Sequence, residues 1–184
     1  MKKVLFLSFT MMLIFMLAAC GESEIKEADA DTDTESTNDD SSEEKNKEEE
    51  KPKTQNLAIG DAVEFDGMKI TLNEARIEPG GDFDEPQEEQ FVVVNLTAEN
   101  NTEEEQTMSS IMNVELKDAD GYAYTTTILT EGVKAQFDGS IEPGGKLRGE
   151  IPFDVPKSDT YELHFSDPFK SGKAIWKIPS DQLQ

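Results

Sequence analysis

The sequence predicts an all-β fold, an antiparallel β-sandwich, over residues 57–184. Helical periodicity is nearly absent from this range. Short runs of alternating apolar and polar residues fill it instead, and Gly, Pro, Asn and Asp separate the runs. The range is long enough for one compact domain of ordinary size. We therefore assign residues 57–184 to a single β-sandwich domain.

The most convincing strand is 90–99, because the even-numbered residues from Val92 to Ala98 are apolar and share one face. Phe91 and Val93 add apolar side chains to the other face. A strand that is apolar on both faces is expected in the middle of a sheet. The pattern therefore predicts that 90–99 is a central strand.

The other predicted strands also show apolar alternation between turn residues, and they cover 62–65, 68–77, 112–117, 122–128, 146–155, 161–165 and 174–178. A change of phase near Asn73-Glu74 indicates a β-bulge. Glu78-Pro79-Gly80-Gly81 fits a type II turn, and Glu142-Pro143-Gly144-Gly145 repeats it. About eight strands in roughly 125 residues are typical of an immunoglobulin-like sandwich.

Residues 1–19 have the pattern of a lipoprotein signal peptide. Two lysines precede the apolar run 4–17, which would cover about 21 Å as a helix, less than the roughly 30 Å core of a bilayer. A charged start, a short apolar run and small residues at its end indicate a secretory signal. Leu17-Ala18-Ala19-Cys20 resembles a bacterial lipobox, which implies cleavage between Ala19 and Cys20 and a diacylglyceryl group on the thiol of Cys20. A plain secretory signal with an incidental cysteine, or an uncleaved anchor, is the alternative.

A lipidated Cys20 would place the protein on the outer, extracytoplasmic face of the cell membrane. Each buried CH₂ contributes about 0.8 kcal/mol, and stable anchoring needs two acyl chains, such as palmitate. Cys20 is also the only cysteine. With its thiol acylated, the chain has neither an internal disulfide nor a catalytic thiol.

Residues 20–56 are predicted to form a disordered acidic tether. Residues 21–56 contain 14 Asp or Glu and 5 Lys, a net charge of −9, with one apolar β-branched residue, Ile25. Such a segment buries too little apolar surface to offset its ordering entropy. As a flexible coil it would span roughly 30–36 Å, and like charges would extend it further.

The predicted domain is strongly acidic. Residues 57–184 contain 26 Asp or Glu and 10 Lys or Arg, a net charge of −16. Binding to nucleic acid needs basic patches for phosphate contacts, so this charge disfavours it. The same charge should repel anionic lipid headgroups. We expect partners among proteins or envelope polymers.

Two acidic segments are candidate cation sites. Asp118 and Asp120 precede Gly121 like the start of a calcium loop, but the third acidic ligand is missing and the glycine comes too early. A tight hairpin turn is the favoured interpretation. The loop that contains Asp82, Asp84 and Glu85 is denser in carboxylates, and a solvated acidic loop is favoured there. No cofactor is predicted.

No residue pattern indicates catalysis. His164 is the only histidine, and it alternates out of phase with Leu163 and Phe165, which predicts a solvent-exposed position. Zinc would therefore have too few nitrogen and sulfur ligands. No serine lies in a nucleophile-elbow context. Trp176 is in phase with Ala174 and Ile178, so core packing is favoured over a ligand platform.

Six motifs occur in a fixed order along the domain. They are Ile59-Gly60-Asp61, Gly67-Met68-Lys69-Ile70, Phe91-Val92-Val93-Val94, Glu99-Asn100-Asn101-Thr102, Asp118-Ala119-Asp120-Gly121-Tyr122, and Pro143 to Pro156 with its run Gly144-Gly145-Lys146-Leu147-Arg148-Gly149-Glu150-Ile151-Pro152-Phe153-Asp154-Val155. Together they resemble the telokin-like, immunoglobulin-like domain of unknown function found on many Gram-positive lipoproteins. The resemblance covers nearly all of 57–180. It implies an extracytoplasmic lipoprotein with a β-sandwich domain, and it carries over no functional residue.

The sequence thus favours a lipid-anchored, extracytoplasmic, non-enzymatic binding module that contacts the membrane through Cys20. Its partner would be a protein or an envelope polymer, met by loops or a sheet edge. A calcium- or cation-binding structural module is one alternative. A hydrolase of envelope material with paired carboxylates is another, although 26 acids produce pairs by chance.

Overall fold

The computed structural model describes residues 25–28 and 56–184, which form twelve β-strands and one short α-helix. The predicted signal peptide, Cys20 and most of the predicted tether lie outside these ranges. The strands are β1 (Ile25–Ala28), β2 (Asn56–Leu57), β3 (Ala62–Phe65), β4 (Met68–Glu78), β5 (Gln90–Asn100), β6 (Gln106–Met108), β7 (Val114–Lys117), β8 (Ala123–Tyr124), β9 (Gly139–Ile141), β10 (Lys146–Val155), β11 (Thr160–Phe165) and β12 (Ala174–Pro179). The helix, α1, is Ser110–Asn113. No helix in the described ranges has the length and apolar character needed to span a bilayer.

The strands form two five-stranded sheets that pack face to face, with a separate β6–β9 pair. Sheet A has the order β1-β3-β4-β5-β10, and sheet B has the order β2-β12-β11-β7-β8. Neighbouring strands are antiparallel except β2, which runs parallel to β12. The predicted all-β antiparallel sandwich is therefore confirmed.

The central strands follow the sequence pattern closely. β5 lies between β4 and β10, and the apolar residues of both its faces are buried. The predicted bulge is present, since the register between β4 and β5 shifts between Leu72 and Glu74. The side-chain amide of Asn73, at the bulge, donates to Asn95 Oδ1 at 2.8 Å and to Thr97 Oγ1 at 2.9 Å. This polar network fixes the shift that returns Ala75 to the core.

Three predictions for the following segments are wrong in detail. Met112 and Asn113 belong to α1 rather than to a strand, because Ser110 N–H and Oγ both bond the Asp138 carboxylate, at 2.9 and 2.8 Å. The second arm of the hairpin after β7 is β8 alone, much shorter than the predicted 122–128. The β6–β9 pair lies in segments where no strand was predicted. In each segment tertiary contacts override the local pattern.

The predicted tether also contains a strand. β1 pairs with β3 along all four of its residues, from Ile25 opposite Phe65 to Ala28 opposite Ala62. The expectation of disorder throughout 20–56 is therefore wrong for 25–28. A neighbouring sheet edge supplies the hydrogen-bond partners that composition alone does not reveal.

The core lies between the two sheets and is closed by aromatic side chains, with Trp176, Tyr161, Phe137, Phe153 and Phe165 all fully buried. The predicted core position of Trp176 is confirmed. Its indole N–H donates to the Asp61 carbonyl at 3.0 Å, and the buried Tyr161 hydroxyl donates to the Pro156 carbonyl at 2.6 Å. Both large aromatics thus bury their rings without leaving a polar atom unpaired.

The segment 125–137 covers the outer edge of β10. Thr127 N–H bonds the Pro152 carbonyl at 2.9 Å, and Glu150 N–H bonds the Ala135 carbonyl at 2.6 Å. A Cβ at Gly149 would lie 2.5 Å from backbone atoms of Gln136, so only glycine lets the segment approach this closely. The edge of sheet A is thereby closed by the chain itself.

A buried ion pair holds this covering segment in place. Glu150, 1% exposed, forms a bidentate pair with Arg76 at 3.0 and 3.1 Å on the outer face of sheet A. The Glu150 carboxylate also accepts the Lys134 backbone N–H at 3.0 Å, and Arg76 donates to the Gly132 carbonyl at 2.5 Å. Burial alone would raise the pKa of Glu150, but the hydrogen bonds and charge of Arg76 and the Lys134 N–H hold it below its usual value.

We predict that Arg76→Met destabilises the domain by about 3 kcal/mol, because it leaves the Glu150 carboxylate buried without its partner. The double variant Arg76→Met/Glu150→Met should lose only about 1 kcal/mol, since it removes both charges. Urea unfolding at pH 7 measures both. A double variant at least as unstable as Arg76→Met would contradict the ion-pair account.

The pair also predicts a pH dependence. The folded state holds the pKa of Glu150 below its unfolded value, so the stabilisation is present above about pH 4.5 and is lost as pH falls through the folded pKa. The stability difference between the wild type and the double variant should therefore shrink on acidification. A constant difference between pH 7 and pH 3 would argue against this coupling.

Candidate binding surface

The sandwich has two ends, which we name the tether end and the far end. The tether end contains the β3–β4 turn at 66–67, α1 and the loop 166–173. The rings of Phe65 and Phe165, 5.6 Å apart, place the ends of β3 and β11 together there. Both β1 and β2 enter the fold near this end, because Ile25 lies opposite Phe65 and Asn56 lies opposite Ile175. The far end contains the loops 79–89, 118–122 and 156–159 and the C-terminal residues.

An open groove of about 590 Å³ lies at the far end. It is lined mainly by polar residues, with Ile77 and Leu183 as apolar members: Ile77, Gln90, Ala119, Asp120, Lys157, Ser158, Asp159, Ser180 and Leu183. The C-terminal residues form one wall, since Ile77 N–H donates to the Gln184 carbonyl at 3.1 Å and Gln184 N–H donates to the Ala75 carbonyl at 3.2 Å. Five segments of the chain therefore converge on one concavity: the end of β4, the start of β5, the loops 118–122 and 156–159, and the C-terminal residues.

Large apolar side chains are exposed in the far-end loops and in the segment 125–137 that contacts them. Phe83 is 84% exposed, Ile128 79% and Tyr122 68%, and Ile77 is also exposed. The loops of Phe83 and Ile128 are joined, because Asp84 bonds Thr130. At the tether end the exposed apolar residues are Ile111, Met112 and Phe169. Exposed aromatic residues beside a concavity are typical of a binding surface.

Carboxylates hold the far-end loops together through hydrogen bonds to backbone N–H and hydroxyl groups. Asp84 Oδ2 accepts Thr130 N–H and Oγ1–H, both at 2.7 Å, and Glu131 N–H at 3.2 Å. The hydrogen bond from the Thr130 hydroxyl is the largest effect that lowers the pKa of Asp84. Asp154 accepts the backbone N–H groups of Gln87 and Glu88 at 2.8 and 3.1 Å. The acidic loop is thus pinned to both of its neighbours.

Asp118 organises the predicted hairpin turn. It is buried, its Oδ1 accepts the N–H groups of Asp120 and Tyr122 at 3.0 and 2.9 Å, and its Oδ2 accepts the Tyr124 hydroxyl at 2.8 Å. Burial and this carboxylate raise the pKa of Tyr124 to about 12. Because donors from the turn and from β8 bond both of its carboxylate oxygens, Asp118 stabilises the turn. Asp120 is exposed beside it.

The predicted cation candidates do not converge. Asp82 and Glu85 are exposed, whereas Asp84 is turned onto the Thr130 loop. Within residues 25–28 and 56–184, no group of three His, Cys, Asp or Glu side chains is arranged to hold a metal ion. The structure brings no metal centre together from these five residues.

His164 lies on the outer face of sheet B, as the alternation predicts, but it is only 7% exposed, so the prediction of an exposed histidine is wrong. Its Nε2 lies 3.1 Å from Glu162 Oε2, and its Nδ1 lies 3.4 Å from Lys173 Nζ. The charged side chains of Glu162 on the same strand, Glu115 on β7 and Lys173 before β12 lie against the ring. Burial is the largest cause that lowers the pKa of His164.

The hydroxyl groups of the groove lining belong to Ser158 and Ser180. Ser158 is its best-placed hydroxyl, but Ser158 Oγ donates to the Thr160 carbonyl at 2.8 Å and accepts Ala119 N–H at 3.0 Å. The only histidine lies outside the groove lining, on sheet B. The geometry of the groove suits contact with a ligand, with Lys157, Asp120 and Asp159 as charged lining residues.

Comparison with known proteins identifies the domain but not its activity. The family model DUF4352, a domain of unknown function, matches residues 57–175. No curated protein matches the chain.

Solved structures of similar fold share little sequence with the chain. The Bacillus subtilis protein ycdA, described as a "putative lipoprotein", is 15% identical with a TM-score of 0.53 over 73% of this chain, but the match spans only 40% of the ycdA chain. The yjhA protein of the same species is 15% identical with a TM-score of 0.54, over 66% of this chain and 98% of its own. An uncharacterized β-sandwich protein of Clostridium difficile 630 is 21% identical with a TM-score of 0.48, over 72% of this chain and 99% of its own. At these identities the similarity concerns the fold alone.

We predict that Asp118→Ala destabilises the domain by about 2 kcal/mol, because three donors lose their acceptor. The neighbouring Asp120→Ala should change stability by less than about 0.5 kcal/mol, since Asp120 is exposed. Thermal and urea unfolding measure both, with and without millimolar calcium. Equal losses in the two variants, or a calcium-dependent rise of Tm in the wild type that Asp118→Ala abolishes, would contradict the turn role.

Proposed function

We propose that this chain, which belongs to the DUF4352 family of domains of unknown function, is a non-enzymatic binding module on the extracytoplasmic face of the cell membrane. Its anchor would be a diacylglyceryl group on Cys20. Its binding surface would be the far end, where it would engage a protein or an envelope polymer. The observation that carries the proposal is the exposure of Phe83 and Tyr122 in the far-end loops, and of Ile128 in the segment that Asp84 joins to them, at the end of the domain that also holds the groove.

The anchor rests on the sequence and on topology. Leu17-Ala18-Ala19-Cys20 follows an apolar run of signal-peptide length. Both N-terminal strands enter the sandwich near the tether end. A lipid on Cys20 would therefore leave the far end directed away from the membrane. The description of ycdA as a lipoprotein agrees with this proposal.

The far end is suited to binding because its loops are already fixed. Asp84, Asp118 and Asp154 each accept two or more hydrogen bonds from loop atoms. Fixed loops lose little conformational entropy when a partner binds, so more of the contact energy becomes affinity. The exposed aromatic residues can supply the apolar centre of an interface, and the polar groove lining can supply its rim.

A binding role is favoured over hydrolysis by the groove chemistry. The two hydrogen bonds of Ser158 Oγ engage its proton and one lone pair with the loop itself, and the neighbouring charged residues are Lys157 and Asp159. The carboxylates of Asp118 and Asp84 are occupied by N–H and O–H donors. These groups stabilise loops, which leaves contact through exposed side chains as the function of the surface.

We predict that Cys20→Ser moves the protein from the membrane fraction to the soluble extracytoplasmic fraction. The reason is that two acyl chains, and no spanning segment, would hold the mature chain in the bilayer. Cell fractionation and mass spectrometry of the N-terminal peptide measure this change. An unmodified thiol at Cys20 in the wild type, or unchanged membrane retention of Cys20→Ser, would contradict the anchor.

We predict that the triple variant Phe83→Ala/Tyr122→Ala/Ile128→Ala loses at least tenfold of its binding to envelope extract, because it removes the exposed apolar centre of the far end. Retention on beads that carry the protein measures this effect. The matched control is Ile111→Ala/Phe169→Ala, which removes exposed apolar residues at the tether end. Equal retention by the triple variant, the control and the wild type would contradict binding at the far end.

A further inference from the structure

We propose that β1 is a docking strand that fastens the chain next to Cys20 onto the edge of β3, so that the sandwich is held close to its anchor. The occupant of this sheet edge is thus a segment of the chain itself, Ile25–Ala28. The distance to the membrane rests on the proposed lipid anchor at Cys20. The docking of β1 does not depend on it.

The edge of β3 offers a complete template for one short strand. β3 pairs with β4 on one side, and its other side would be an unpaired edge without β1. The four residues of β1 match the four residues of β3 in antiparallel register, from Ile25 opposite Phe65 to Ala28 opposite Ala62. An exposed edge invites pairing with other chains, and an internal strand prevents it.

The composition of the acidic segment selects these residues for the edge. Ile25 is its only β-branched apolar residue, and Lys26 is its only lysine before Lys45. The register places Lys26 opposite Glu64. The remaining residues up to 44 include many acids and no other base. Ile25–Ala28 is therefore the part of the segment best suited to a sheet edge.

Docking changes the reach of the tether. Ile25 is five residues from Cys20, so the connecting chain covers at most about 18 Å. An undocked segment from Gly21 to Asn56 would span roughly 30–36 Å as a coil. With β1 paired, the distance from Cys20 to the sandwich depends only on the residues between Cys20 and Ile25. The anchor would then sit near the tether end.

A cysteine pair tests the docking in the Cys20→Ser chain, which carries no other thiol. Lys26→Cys/Glu64→Cys should form an intramolecular disulfide on mild oxidation, because paired strands place the Cα atoms within bonding range. The control pair is Lys26→Cys/Glu162→Cys, with the second cysteine on sheet B, and it should form at least tenfold more slowly. Equal rates for the two pairs would overturn the docking. This result is independent of lipidation.

Reach is tested in the lipidated protein with Glu27→Pro, because proline removes a strand N–H and disfavours β1. Asp33→Pro, outside β1, is the matched control. Energy transfer from a dye on Asp120→Cys to a dye in the membrane measures the distance of the far end from the membrane. We expect this distance to be about 10 Å or more greater in Glu27→Pro than in Asp33→Pro. Equal heights would overturn the proposed close anchoring. Loss of all variants from the membrane would instead reject the anchor and leave the cross-linking result standing.

Discussion

The structure depends on closing the outer edges of its sheets. β10 is the last strand of sheet A, and without a cover its N–H and C=O groups would face solvent as a template for pairing with other chains. The chain solves this by leading the segment 125–137 from sheet B along β10. The buried pair of Glu150 and Arg76 fixes that segment through Lys134 N–H and the Gly132 carbonyl. A charge pair on an outer face thus determines the boundary of the sandwich.

Hydrogen bonds from the backbone to carboxylates help to order this acidic domain. Many of its carboxylates accept backbone N–H groups, as Asp84, Asp118 and Asp154 do, and charge-assisted hydrogen bonds of this kind are stronger than neutral ones. Acidic residues therefore act as loop fasteners. Some of the carboxylates that suggested cation binding in the sequence accept hydrogen bonds from the loops instead.

The sequence predicted the parts of the fold that depend on alternation and turn chemistry. The central position of β5, the bulge after Leu72 and the inward Trp176 follow from side-chain period alone. The β6–β9 pair does not follow from side-chain period. It depends on the buried Asn100, whose side-chain amide donates to the Glu104 and Ile141 carbonyls at 2.7 and 2.8 Å. The side-chain period also predicts correctly the face on which His164 lies. It does not predict that His164 is buried, because the burial depends on long side chains around it. The strand β1 was not predicted, because the acidic composition of its segment indicates disorder.

The candidate surface was predictable only in outline. The sequence indicated loops or a sheet edge as the binding elements. Alternation cannot tell which loop residues are exposed together, because that depends on how Asp84 joins two residues 46 positions apart in the chain. Once joined, Phe83 and Ile128 occupy one end of the molecule, while β1 and β2 enter near the other. The proposed anchor at one end and the fixed loops at the opposite end would allow the domain to meet a partner without rearranging its core. The physical basis of recognition would then be the low entropic cost of loops that carboxylates have already fixed.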